Sequence, residues 1–136
     1  MDNYIQQLRQ GNLNLIILKD DKPVFASHDE GMKPLLKAIR SIDSFTLKGS
    51  VVVDKIVGKA AALLISYFEA REVHCTVISV RAKDVLKRHR IRYYAERTIP
   101  EIANRFGTAI CPFEEMVLDV DEPKEGYERL SARLKP

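Results

Sequence analysis

The sequence predicts an α/β domain in three layers, with a mixed five-stranded sheet between helices. Three observations carry that expectation. Short β-branched runs, Gly49 to Val53 and Val73 to Val80, alternate with segments of helical periodicity. The connections between them are short, as right-handed parallel crossovers require. The first two strands are instead joined by turn chemistry, so an antiparallel hairpin precedes the parallel part.

The chain begins with Tyr4, Ile5 and Leu8 at helical spacing, which predicts a helix over Asp2 to Gln10 ended by Gly11. Leu13, Leu15 and Ile17 alternate in a first strand, Asp20 to Pro23 supplies the turn, and Val24 to Ser27 returns. After Gly31, the stripe Leu35, Leu36, Ile39 and Ile42 predicts a second helix ending near Asp43, with Lys33, Lys37 and Arg40 on its wet side. Gly49 to Val53 reads as a buried strand running directly into a third helix that begins within Asp54 to Gly58 and continues to Ala70. Val73 to Val80 is the next strand, Ala82 to His89 a short basic helix, and Ile91 to Arg97 an outer strand whose arginines discourage edge pairing. Thr98 with Glu101 has the spacing of a capping box, which predicts a fifth helix ending at Gly107. A sixth runs from Pro112 to about Leu118, and Lys124 to Leu134 is a charged terminal helix.

Composition narrows the class. At 136 residues and 46% apolar content, residues 1–136 fit one domain with a real core, with an N-terminal helix in 1–12 and a charged tail in 120–136. The longest apolar stretch, Ala60 to Phe68, falls well short of the roughly 20 residues that span a bilayer, so no membrane association is expected. Residues 1–10 lack the basic start and apolar run of a signal peptide, and two cysteines, Cys75 and Cys111, are too few for a disulfide scaffold. A cytoplasmic protein with reduced thiols is expected. Net charge is only +3, but Arg81 to Arg97 carries a local +5 and Glu114 to Glu128 a local −6.

The succession of elements resembles the cytidine deaminase-like fold. In detail, GSVVVDKIVGKAAALL (Gly49 to Leu64), AREV (Ala70 to Val73) and CPFEE (Cys111 to Glu115) resemble a family of small prokaryotic proteins known as a domain of unknown function. The resemblance covers about Leu13 to Leu118. It implies a deaminase-like fold and frequent oligomer formation, and it assigns no activity.

Zinc deaminases place a His or Cys with a Glu two residues on at one helix start, and Pro-Cys-x-x-Cys at the next. Here those positions fall near Gly31 to Lys33 and near Asp54 to Lys59, and neither carries a cysteine. No metal ligand set and no cofactor are therefore expected, and His28-Asp29-Glu30 reads as exposed loop. A helix start at Asp54 to Gly58 would instead offer unpaired N–H groups and a positive dipole end to an anion. Lys55, Lys59 and Lys33 would flank that anion and Gly58 would admit it to the backbone, so a small anionic ligand or nucleotide is the expected partner. The alternative is that Asp54 only caps the helix and the lysines are solvated.

Cys111, followed by Pro112, is the candidate nucleophile at a helix N-cap, with Glu114 as its acid or base; a structural cysteine is the alternative. A sensor without catalysis, the second reading, would use the same residues. A third reading gives the basic, aromatic stretch 81–97 to nucleic acid, against a plain solvated surface.

Overall fold

The structure is a computed structural model and describes residues 2–103, 107 and 110–134. Asp20 and Asp21 both take left-handed backbone, φ 51° and 65°, which makes the tight two-residue turn between β1 (Leu15–Lys19) and β2 (Lys22–Ser27). β1 then pairs antiparallel with β3 (Val51–Val57) on its other side. From β3 onward the strands are parallel: β3 with β4 (Glu72–Ser79), and β4 with β5 (Arg92–Ile99). The sheet is mixed and five-stranded, as the alternation of elements predicts, and the order across it is β2-β1-β3-β4-β5.

The two faces bury different amounts. One face presents Leu15, Ile17, Val52, Val73 and Cys75 to the larger core, under α2 (Lys33–Ser41), α4 (Lys59–Tyr67) and α5 (Val80–Arg88). The other presents Ile16, Leu18, Val51 and Val53 to Ile5 and Leu8 of α1 (Asp2–Gln10). Every residue of α4 from Lys59 to Ser66 is buried, so this helix is covered all round, with α5 and α7 (Pro123–Arg133) packed on it. Gly126 of α7 makes that approach close: a Cβ there would lie 3.0 Å from the Leu63 Cβ.

Three expectations change. First, the helix after the third strand starts at Lys59, not within Asp54 to Gly58, and Gly58 is its N-cap. Parallel pairing of Asp54, Ile56 and Val57 with Cys75, Val77 and Ile78 keeps the chain extended past the expected boundary. Second, Thr98 lies inside β5, and Glu101 to Ala103 is not helical; Ala103 bridges to Ile110. Pairing with β4 holds Thr98 opposite Ile78 and overrides the capping pattern. The remainder of that expected helix, residues 104–106, lies outside the described residues. Third, a short helix α3 (Ser44–Leu47) follows α2, capped by Asp43, whose carboxylate accepts from the Thr46 N–H at 2.9 Å and the Thr46 hydroxyl at 2.8 Å. The last segments form α6 (Pro112–Met116) and α7, where Leu130 is fully buried.

Candidate functional site

Where β3 leaves the sheet, its carboxyl end, the start of α2 and the start of α6 enclose a cleft of about 560 Å³. Clefts at the carboxyl ends of parallel strands are the usual ligand sites of open α/β sheets. Apolar walls come from Met32, Leu35, Ile56, Ile102 and Phe113. The ionisable lining among the described residues is Asp29, Glu30, Asp54 and Glu114, with Lys55 the one ammonium and Cys111 the one thiol.

The anion seat expected at the helix start exists, but the protein fills it itself. The Glu114 carboxylate accepts from the Lys59 N–H and the Ala60 N–H, both at 2.7 Å, and caps α4. Gly58 is required by this contact rather than by a ligand: a Cβ would lie 2.6 Å from the Glu114 carboxyl carbon and 2.7 Å from Ile102 Cγ1. The clasp is reciprocal. Lys59 is buried and its ammonium donates to the Leu118 carbonyl at 2.9 Å, just past α6, so it does not line the cleft. Burial pushes the Glu114 carboxyl up, although the two N–H groups pull the other way.

Asp54 stands half-buried in β3, opposite Leu15 and Cys75, and caps no helix. Desolvation pushes its carboxyl up to about 7, against hydrogen bonds from the Lys55 and Ile56 N–H groups. Lys55 is exposed at the cleft mouth, while Lys33 is exposed on α2 and outside the lining. Cys111 is the N-cap of α6 as expected, tied by its N–H to the Ile102 carbonyl at 2.8 Å. Of the expected site residues, the cleft thus gathers Asp54, Lys55, Gly58, Cys111 and Glu114, and omits Lys33 and Lys59. Asp29 and Glu30 are exposed loop, as the sequence predicts, and they also line the cleft, a role that no spacing in their string signals. Among the described residues, no group of three His, Cys, Asp or Glu is placed to hold a metal ion, and no helix is long and apolar enough to cross a membrane.

The family model for a domain of unknown function, DUF1893, matches residues 3–134. The chain belongs to the DUF1893 family. A crystal structure of a DUF1893 family protein, TM1506 from Thermotoga maritima, is similar over 98% of this chain and 88% of that one, with 28% identity and a TM-score of 0.89. A structure of RibD from Acinetobacter baumannii is similar over 69% of this chain and 33% of that one, with 13% identity and a TM-score of 0.52. The second likeness is one of fold alone, consistent with the deaminase-like layout of this DUF1893 chain. No curated protein sequence matches it.

Proposed function

We propose that this DUF1893 protein binds a small nitrogen-bearing molecule, neutral or positively charged, in the cleft between β3, α2 and α6. The observation that supports the reading is the lining: among the described residues, the carboxyl groups of Asp29, Glu30 and Asp54 face a single ammonium, Lys55, in apolar walls, with the helix end already occupied by Glu114. The volume falls within the range of small-molecule sites, and apolar walls with a few polar groups suit a flat ring. Carboxylates accept charge-assisted hydrogen bonds from amine or amidine N–H groups. A phosphate would meet Asp29, Glu30 and Asp54 instead of free N–H donors, which turns the expected preference for an anion around.

Turnover is the second reading, favoured by Asp54, whose carboxyl at about 7 exchanges a proton near neutral pH within the cleft. Glu114 is a poor acid or base for Cys111, because both its oxygens are engaged on α4.

Thermal shift with nucleobases, nucleosides, their phosphates and simple aromatic amines tests the binding reading. A ligand at about 100 times its Kd stabilises by about 2.7 kcal/mol, a shift of a few degrees for a domain of this size. Stabilisation by the unphosphorylated compounds, lost in Asp54→Asn with the fold retained, is expected. Equal or stronger stabilisation by the phosphates would refute it. Mass spectrometry of the stabilising compound after incubation separates enzyme from sensor.

A further inference from the structure

The basic stretch 81–97 is not used by the cleft, and the fold gives it a definite shape. α5 ends at Arg88, and Arg90 turns the chain with left-handed backbone, φ 60°. The Arg90 N–H reaches the Lys87 carbonyl at 3.1 Å and the Ile91 N–H reaches the Leu86 carbonyl at 2.9 Å. Glycine takes this conformation without penalty, whereas an L side chain is disfavoured by about 1 kcal/mol or more. A guanidinium is held there all the same. The turn sets Lys87, Arg90 and Arg92 around a shallow groove of about 390 Å³, which Ile91, Tyr93 and Tyr94 also line.

The rings are pre-set. Tyr94 is 37% exposed and stacks on His74, with centroids 4.7 Å apart and planes at 18°. His74 is 3% exposed, rests against Tyr4 at 4.6 Å, and is held through Nε2 by the Glu72 carboxylate at 2.5 Å. Tyr94 is therefore the outer ring of a packed cluster, stacked on His74, which Tyr4 backs at a tilt of 49°, so placing a further ring on it orders little that is not already ordered. Tyr93 lies under the Lys83 ammonium, 6.0 Å from its centroid. β5 is also a sheet edge, with main-chain donors and acceptors on its outer side.

Cations in the last turn of a helix complement its dipole, which accounts for Lys87 and Arg88. It does not account for Arg90, Arg92 or the rings. Arg88 pairs with Asp121 at 3.4 Å, and Arg92 approaches Glu72 only to 3.9 Å. Among the described residues, Lys87 and Arg90 make no ion pair, so their charge is available to a partner.

We propose that this groove binds single-stranded nucleic acid, with Lys87, Arg90 and Arg92 on the phosphates and a base stacked on Tyr94. The combination selects this partner. A duplex offers phosphates but hides its base faces. A second copy of β5 paired edge to edge in the antiparallel register that sets residue 92 opposite residue 97 would bring Arg92 and Arg97 of the two strands together.

Fluorescence anisotropy of a labelled RNA of about 10 nucleotides tests it. Micromolar binding is expected at about 50 mM salt, weakened roughly 20-fold at about 200 mM if three phosphates are contacted. The double variant Lys87→Gln/Arg90→Gly should lose about tenfold in affinity while keeping its Tm, since glycine suits the turn. Tyr94→Leu should weaken RNA binding about tenfold and leave inorganic polyphosphate binding unchanged. Four results would overturn the proposal: no binding at low salt, binding indifferent to Lys87→Gln/Arg90→Gly, duplex or polyphosphate bound as tightly as the single strand, or self-association by sedimentation that masks the groove.

Discussion

Asp54 shows how one side chain joins the sheet to the cleft. Its burial holds a proton to about 7 where an ordinary aspartate releases it near 3.8. The folded state therefore binds more protons than the unfolded chain between those values, and stability falls as pH rises from about 4 through about 7. Asp54→Asn removes that penalty. It should be more stable than the parent by roughly 2 kcal/mol at about pH 8, allowing for part exposure, with the difference gone near pH 4. Urea denaturation at the two pH values measures it. Gly58→Ala should destabilise by roughly 2 kcal/mol or more, because its methyl runs into Glu114 and Ile102. The thiols also separate. Burial pushes Cys75 up to about 12, with Asp54 and Glu96 adding to it, so iodoacetamide should label the half-buried Cys111 and spare Cys75 until the protein unfolds. None of this was legible at Asp54 in the sequence, where an aspartate after three valines reads as a stop. Its strand neighbours Leu15 and Cys75 decide otherwise.

At the scale of elements, α4 and α6 are held by exchanged end-caps: Glu114 on the first N–H groups of α4, and Lys59 on the Leu118 carbonyl. Glu114→Ala leaves two buried donors unpaired and should destabilise by about 2 to 4 kcal/mol, with Glu114→Gln recovering part of the loss. Chemical denaturation of both variants checks the order. Hydrophobic periodicity located α1, α2, α4 and α5, because each helix buries one face or its whole circumference against the sheet. It missed α3, a single turn set by the Asp43 cap, which is too short for a period to register. It also placed a capping box at Thr98 and Glu101, where pairing with β4 is the stronger constraint.

For the whole molecule, the second layer is one helix thick. Among the described residues, Ile5 and Leu8 cover Ile16, Leu18, Val51 and Val53, with Tyr4 and Leu13 at the margin. Removing residues 1–12 should cost roughly 3 kcal/mol or more and, by exposing that face, produce concentration-dependent association visible by sedimentation. The polarity along the chain is partly closed in space by the Arg88–Asp121 pair, leaving Lys87 and Arg90 on the basic side. The sequence by itself determined the mixed five-stranded sheet and the longer helices α1, α2, α4 and α5 in their order, because those follow from periodicity and turn chemistry within a few residues. Only the tertiary structure decided what fills the start of α4. Glu114 lies 55 residues beyond Lys59, and folding alone brings its carboxylate onto the helix end that the sequence, through Lys55 and Lys59, assigns to an anionic ligand.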